Sequence, residues 1–436
     1  MRRLLAGLVI TPAVLATACT AASAGHRAST ATSASQPPAA SPTVTVSPAA
    51  TSAASSSPAA SVTPTISVTP TSSVTPSVSS TRGASTAEPG DGTTAKARTS
   101  ASVLPVDEIA PAGRMVLEKT ITGHLNEKSV VASGTGLFFA QNMMYLHTIN
   151  VYDRNYKLLK IIPDAVKLAD FGYPQYPGIY KGAPVEAAFT PDHKFAYVSN
   201  YSMYGAAPFT REGTDVCTPA NKYPDSFVYR INLATLAIDR VIEVGAVPKY
   251  VAVTPDGKYV LVSNWCSYNE SIIDAATGKV VRTIPLGAYP RGIAIDPHSI
   301  TAYVAIMGST RIAAIDLATF TVSWITSVGS APRHLVMSPD GLWLYATLNG
   351  DGLVAKVDLT TRKVVARVRT GLAPRSMTIS PDGGYIYVVN YLSNTMSKVR
   401  TSTMRVVQTV PTRTNPIGIT YDNATHRVWV ACYTGS

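Results

Sequence analysis

A proline recurs every 42 residues through the second half of the chain, and this fixed period constrains the fold more than any other feature. The first series comprises Pro248, Pro290, Pro332, Pro374 and Pro416. A second series with the same spacing comprises Pro255, Pro297, Pro339 and Pro381. Self-similarity at a period near 40 residues is typical of a repeat architecture, in which each repeat is one supersecondary unit.

The repeat Ala246–Gly287 contains four short apolar runs separated by turn residues. We predict its strands at Tyr250–Val253, Lys258–Ser263, Ser271–Ile273 and Val280–Ile284. Pro-Asp-Gly at 255–257 and Ala-Thr-Gly at 276–278 supply turns between them. Four strands per repeat are typical of a propeller blade, and a lone blade cannot bury both faces of its sheet. The blades must therefore stack around an axis.

Counting units predicts an all-β, seven-bladed β-propeller with four antiparallel strands per blade. The predicted units are Glu127–Asp164, Ala183–Gly245, Ala246–Gly287, Ala288–Gly329, Ser330–Gly371, Leu372–Arg413 and a seventh from Thr414. The seventh unit has only two strands before the chain stops, at Gly418–Tyr421 and Arg427–Cys432. Ser102–Gly123 matches the second half of a unit, so we expect the N-terminal segment to supply the two outer strands of the last blade. Closing the ring in this way leaves no open sheet edge between the first and last blades.

Several segments resemble the repeat of the YVTN-type (YncE-like) seven-bladed propellers. They read TPDHKFAYVSNY, TPDGKYVLVSNW and SPDGGYIYVVNY, and the units end in forms like IDAATGKVVRTI. The resemblance covers about 102–436 and implies the propeller fold. It implies no single function, because related propellers include lactonases, electron-transfer subunits, surface-layer proteins and binding proteins.

The first hundred residues predict an export signal and a linker. Residues 1–19 place two arginines before an apolar run too short to span a membrane, and the run ends at Cys19. Ala-Thr-Ala-Cys resembles a bacterial lipobox, with Ala16 where the family has Leu, so we expect either lipidation of Cys19 or ordinary cleavage after Ala24. Residues 20–101 are almost entirely small, Ser, Thr and Pro residues, a composition that cannot form a packed core. We therefore expect a folded domain at 102–436, anchored to the outer face of the cell membrane or secreted.

Two insertions interrupt the regular array, at 165–182 and at 201–225. The links between blades and the loops between second and third strands emerge on one face of a propeller, so both insertions should decorate that face. Cys217 lies in the second insertion and Cys266 in the matching loop of the next unit, so we predict a disulfide between them. Cys432, at the end of a second strand, is expected to be a buried thiol.

The register gathers positive charge at one mouth of the central channel. The residue after the blade-start proline is a cation in four consecutive units, and these are Lys249, Arg291, Arg333 and Arg375. On the same face, second strands end on aromatic residues, including Tyr201, Trp265, Tyr391 and Tyr433. Cations surrounded by flat side chains suit a ligand with anionic and planar or sugar-like parts. The same arginines could instead bond backbone carbonyls and stabilise the turns between blades.

At the next aligned position of the repeat, the second unit has Glu186 and the fifth unit has His334. These two side chains could face each other across the channel as acid and base. We therefore hold a lactonase-like hydrolase as the alternative to a binding protein without chemistry of its own. A formal net charge of +11 favours anionic partners, and single-stranded nucleic acid is a third, less favoured ligand. The favoured partner is an anionic or carbohydrate-like envelope ligand or a protein. The four cysteines and seven histidines lack metal-site spacing, so no metal or cofactor is predicted, and we expect a monomer.

Overall fold

The protein is described by a computed structural model, which covers the backbone of residues 14–18 and residues 113–433, apart from 124, 211–213 and 219. The predicted linker 20–101 and the predicted lipidation site Cys19 lie outside the described residues. Within the described part, no helix is long and apolar enough to cross a membrane.

The architecture is all-β and propeller-like, built from small sheets that follow one another along the chain. Six of them are antiparallel throughout, and we call them blades 1 to 6. Blade 1 comprises Glu127–Ala132, Phe138–Asn142, Thr148–Tyr152 and Leu158–Pro163. Blade 2 comprises Ala165–Lys167, Ile179–Phe189, Phe195–Tyr204, Ser226–Asn232 and Ala237–Val244. Blade 3 comprises Pro248–Val253, Tyr259–Asn264, Asn269–Asp274 and Lys279–Pro285.

The remaining antiparallel blades follow the same four-strand plan. Blade 4 comprises Pro290–Ile295, Thr301–Ile306, Arg311–Asp316 and Val322–Ile325. Blade 5 comprises Pro332–Met337, Trp343–Leu348, Leu353–Asp358 and Lys363–Arg369. Blade 6 comprises Pro374–Ile379, Tyr385–Asn390, Thr395–Arg400 and Arg405–Pro411. In each of blades 3 to 6 the periodic proline begins the first strand, where the ladder does not need its missing N–H group.

The C-terminal sheet departs from the prediction of seven four-stranded antiparallel blades. It contains Pro416–Asp422, Arg427–Cys432, Val14–Ala18 and Val116–Ile121. Val14–Ala18 runs parallel to both of its neighbours and separates Val116–Ile121 from Arg427–Cys432. The expectation that both outer strands come from Ser102–Gly123 is therefore wrong for the third strand, since an apolar segment of the predicted export signal covers that edge instead.

Side chains join the C-terminal sheet to blade 1. Trp429 stacks on Phe138 with ring centroids 4.0 Å apart, and both rings are fully buried. Arg154 forms an ion pair with the buried Asp422 at 2.9 Å. The first strands of successive sheets lie side by side, and Pro416–Asp422 lies next to Glu127–Ala132. The N-terminal and C-terminal ends of the array are thus packed against each other.

Two glycines permit close approach between neighbouring first strands. A Cβ on Gly292 would lie 2.7 Å from backbone atoms of Arg333 and His334. A Cβ on Gly418 would lie 2.6 Å from the Cα of Ser129. A side chain at either position would push adjacent sheets apart around the channel.

The two insertions pack against each other on blade 2, where Tyr176 and Tyr180 contact Phe209 with ring centroids 5.1 and 5.4 Å apart. Residues 165–182 add a fifth strand to blade 2 and a 3₁₀ turn at Leu168–Phe171. The Tyr173 hydroxyl accepts a hydrogen bond, 2.9 Å long, from the backbone N–H of Glu243 on the outer strand of the blade. The second insertion reaches blade 3, where Cys217 and Cys266 form a disulfide with Cα atoms 5.2 Å apart. This is the predicted pair. Cys432 is also disulfide-bonded, so the expectation of a buried thiol is wrong.

Candidate functional site

Lys249, on the first strand of blade 3, belongs to an internal ion pair with the second insertion. Its ammonium contacts the carboxylate of Asp215 and lies 3.7 Å from the centroid of Trp265. Tyr201 donates a hydrogen bond to the same carboxylate at 2.9 Å, and the Trp265 indole donates to the Asp215 carbonyl at 3.2 Å. Three of the predicted ligand-binding residues are therefore engaged in holding the insertion loop over blade 3.

Asp215 and Lys249 each stabilise the charged form of the other. Burial alone would raise the pKa of Asp215, but Lys249 brings it well below its usual value. Burial lowers the pKa of Lys249 to about 7, against the opposing effect of Asp215. The pair is anchored by the Cys217–Cys266 disulfide two residues away from Asp215. Asp215 is an acidic residue at the mouth that the sequence analysis did not identify. Its position two residues before Cys217, a member of the predicted disulfide, could have indicated that it lies near the mouth.

Arg291, on blade 4, is also satisfied within the protein, because its guanidinium donates to the Lys249 backbone carbonyl. This contact fits the structural interpretation, in which a mouth arginine bonds a carbonyl of the preceding blade. Burial lowers the pKa of Arg291, and Glu186 and Asp215 oppose that change. The side chain is 7% exposed and stays charged, since arginine does not lose its proton in proteins.

Arg333 and Arg375, on blades 5 and 6, differ from these two. Within the part of the chain that the structure describes, neither guanidinium has a carboxylate or carbonyl hydrogen-bond partner. The Nε of Arg375 is buried and unpartnered, while its guanidinium carbon lies 3.8 Å from the centroid of Tyr391. Burial and the neighbouring Arg291 and Arg375 lower the pKa of Arg333. Two adjacent blades thus present arginines whose hydrogen-bonding capacity is unused.

A fifth cation comes from blade 1. Lys128 lies one position after the residue that aligns with Lys249, Arg291, Arg333 and Arg375. Its ammonium lies 4.6 Å from the ring centroid of Tyr433. Burial lowers the pKa of Lys128 well below its usual value, and all four predicted cations push in the same direction. Because each of the four cations lowers the pKa of Lys128, all five basic groups lie near one another at the mouth of the channel. Glu127, at the cation column on blade 1, is fully buried, and burial raises its pKa to about 8.

Beneath the cations, the channel contains a cavity of about 200 Å³ lined by Glu186, Tyr250 and His334. The Tyr250 hydroxyl and His334 Nε2 are hydrogen-bonded at 2.9 Å, and His334 Nδ1 is buried without a partner in the described residues. Glu186 and His334, the two residues proposed as acid and base, therefore line the same cavity. Tyr250 of blade 3 lines it as well and is hydrogen-bonded to His334.

The two groups titrate in opposite senses. Burial raises the pKa of Glu186 to about 7, although Arg291 and a hydrogen bond with Ser129 oppose it. Burial lowers the pKa of His334 to about 3, and Arg333 and Arg291 add to the effect. At neutral pH the imidazole is uncharged, and Glu186 is divided between its two protonation states.

A family-model match supports the propeller-like fold. The family model described as the cytochrome D1 haem domain matches residues 295–434. No curated protein matches the chain. Among solved structures, Kuenenia stuttgartiensis hydrazine synthase is similar at 21% identity and a TM-score of 0.42, covering 64% of this chain and 96% of that one.

The name of the matched family raises the question of haem, and the channel does not fit it. The cavity of about 200 Å³ is smaller than the roughly 300–1,000 Å³ of typical ligand sites. His334, which lines it, has its Nε2 engaged by Tyr250.

Proposed function

We propose that this chain is an exported seven-bladed propeller of the YVTN type that binds an anionic ligand at the insertion-bearing mouth of its channel, without chemistry of its own. The C-terminal sheet would serve as the seventh blade, and its packing against blade 1 supports a closed ring. The family-model match over residues 295–434 supports the propeller fold and leaves the ligand open.

The observation that carries the proposal is the division of the mouth into two halves. On blades 3 and 4, Lys249 and Arg291 are satisfied by Asp215 and a backbone carbonyl. On blades 5 and 6, Arg333 and Arg375 have no such partner among the described residues. Buried or half-buried cations that repel one another raise the free energy of the unliganded protein, and an anion would relieve that repulsion. The ligand site is therefore the half formed by Arg333, Arg375, Tyr391 and Tyr433, with Lys128 beside it.

A thermal-shift screen of the purified full chain tests this function. Acetate, succinate, citrate, sulfate and phosphate would be compared at one ionic strength, because a ligand that binds only the folded state raises the melting temperature. We expect multivalent anions to stabilise the protein and Arg333→Gln to abolish that effect. The matched control is Arg282→Gln, an exposed arginine on the outer strand of blade 3. An unchanged anion response in Arg333→Gln would refute the site.

The unliganded variant supplies a second readout. If Arg333 mainly experiences repulsion from Arg291 and Arg375, its neutralisation should leave the melting temperature unchanged or raise it. If Arg333 has a structural role, the same substitution should lower the melting temperature by several degrees.

A hydrolase remains the second candidate, because Glu186 and His334 line one cavity. Binding is favoured over hydrolysis since a histidine whose pKa is lowered to about 3 is a weak general base at neutral pH. Turnover of a lactone panel by the wild-type protein, with loss in Glu186→Gln and His334→Gln, would establish the hydrolase instead. Single-stranded nucleic acid is less favoured, because the cations converge at the axis rather than following a groove.

The anchoring of the protein is a separate part of the proposal. Lipidation of Cys19 would hold the propeller at the outer face of the membrane through the linker 20–101. The cleavage that precedes lipidation would release Val14–Ala18 from the C-terminal sheet and leave Cys432 as a thiol in the mature chain. Labelling cells with a fatty-acid analogue should mark the wild-type chain and not Cys19→Ser. Equal labelling of both, or of neither, would refute the lipid anchor and leave plain secretion.

A further inference from the structure

We infer that the anion site at the mouth, which combines two arginines without carboxylate or carbonyl partners among the described residues and a neighbouring lysine, takes phosphate or a phosphate monoester as its ligand. This inference rests on the proposed anion-binding function and specifies the ligand class. It depends on the number of cations, on the direction from which each approaches, and on the donors that each can offer.

The charge at the mouth exceeds what a monoanion can balance. Lys128 there is influenced by four other basic side chains, Lys249, Arg291, Arg333 and Arg375, and the three arginines among them stay charged. The carboxylates that act on Arg333 are Asp215 and Glu186. Asp215 is already paired with Lys249, and Glu186 is only partly ionised at neutral pH. An acetate-like ligand would therefore leave part of the excess charge uncompensated, whereas a phosphate monoester brings a charge of about −1.5 to −2 at pH 7.

The shape of the donors separates phosphate from a carboxylate. Each guanidinium is a planar fork that binds two oxygens side by side. Arg333 and Arg375 start from adjacent blades, and a carboxylate has only one pair of oxygens to offer the two forks. A phosphate group offers three or four terminal oxygens in different directions, which suits two forks and the Lys128 ammonium together.

The half of the mouth opposite these arginines explains why the anion would bind off-centre. Asp215 fills the anion position over blade 3 and is held there by Tyr201, Trp265 and the nearby disulfide. Repulsion from this fixed carboxylate keeps a second anion on the side of blades 5, 6 and 1. Tyr391 and Tyr433, both half-buried, border that side and flank the ester substituent.

Titration calorimetry on the purified full chain at pH 7 tests the ligand class with inorganic phosphate, glycerol 1-phosphate and citrate. We expect both phosphates to bind more tightly than citrate, although citrate carries more charge. Arg333→Lys keeps the charge and removes the fork, so it should weaken phosphate binding at least fivefold, and Arg282→Lys should leave it unchanged. Arg375→Lys, at a less buried position, repeats the test if Arg333→Lys does not fold.

The outcomes separate this inference from the function on which it rests. Tighter binding of citrate, or equal phosphate affinity in Arg333→Lys and the wild type, would overturn the phosphate assignment and leave anion binding standing. Absence of binding to every anion would overturn both. Vesicles of phosphatidic acid in phosphatidylcholine, compared with phosphatidylcholine alone, distinguish the source. Binding to the vesicles but not to glycerol 1-phosphate identifies a lipid headgroup, and the reverse identifies a soluble phosphate ester.

Discussion

Replacing Asp215 with asparagine separates the structural half of the mouth from the binding half. The substitution preserves the shape of the side chain and an oxygen for the Tyr201 hydroxyl, but removes the charge that Lys249 faces. Lys249 is 6% exposed at its side chain, so its ammonium would remain buried without a counter-charge. We expect the variant to be less stable and to bind anions more tightly.

The size of both effects follows from the geometry. Breaking a fully buried pair costs about 3–5 kcal/mol. Here the Asp215 side chain is 69% exposed, so solvent screening reduces the expected loss to about 1–2 kcal/mol. Asp215 also acts on Arg333 and Arg375, and removing one such charge at a partly screened distance should strengthen anion binding by about threefold to tenfold.

The pH dependence checks the assignment to Lys249. Its pKa is lowered to about 7 in the folded protein, so the unfolded chain binds more protons above pH 7 and the cost of burying this lysine disappears as pH rises. The stability difference between Asp215→Asn and the wild type should therefore be present at pH 6 and shrink by pH 9, as measured by urea denaturation. Asp170→Asn, in an exposed pair with Lys167, is the control and should change little at either pH. A difference that is the same at both pH values, or weaker anion binding by the variant, would refute this reasoning.

Three other predictions concern the framework. Trp429→Ala should destabilise the protein by about 3–5 kcal/mol in urea, since it empties the contact between the C-terminal sheet and blade 1, and an unchanged midpoint would contradict that packing. Arg154→Ala should lower the melting temperature more at pH 7 than at pH 3. Burial raises the pKa of Asp422, but hydrogen bonds from Arg154 outweigh burial and lower it, so the stabilisation by this pair is lost as pH falls. Equal losses at both pH values would exclude the ion pair as the cause. Replacing Cys217 and Cys266 by serine should cost about 2–4 kcal/mol and expose the 201–225 insertion to trypsin, with unaltered cleavage as the contrary result.

The repeat period made most of the fold predictable. In the unit Ala246–Gly287, the predicted strand Lys258–Ser263 is Tyr259–Asn264 in the structure, and the predicted Ser271–Ile273 extends to Asn269–Asp274. The shifts arise because strand ends are set by hydrogen-bond ladders, while apolar runs mark only the buried centre. The place of Val14–Ala18 was not predictable, since a segment with the pattern of an export signal carries no sign of pairing with a strand some 400 residues away.

The position of the candidate site was predictable from the sequence. Which of its cations are paired within the protein, and which are not, was not predictable. The proline register placed four cations at one mouth, and the structure brings their charges together. Nothing in the register distinguished Lys249 from Arg375, because the difference lies in what covers each blade. Asp215 comes from an irregular insertion, whose path depends on a disulfide and on packing against Trp265. Lys128 was missed because the divergent first unit shifts its cation by one position.

Direct location of a bound anion tests the central claim. Crystals of the protein soaked in tungstate, a tetrahedral dianion with strong anomalous scattering, would show where such a group binds. The account predicts an anomalous peak within hydrogen-bonding distance of the guanidinium groups of both Arg333 and Arg375, and no peak there in the Arg333→Gln variant. A peak confined to other basic surfaces, with both arginines uncontacted, would contradict it.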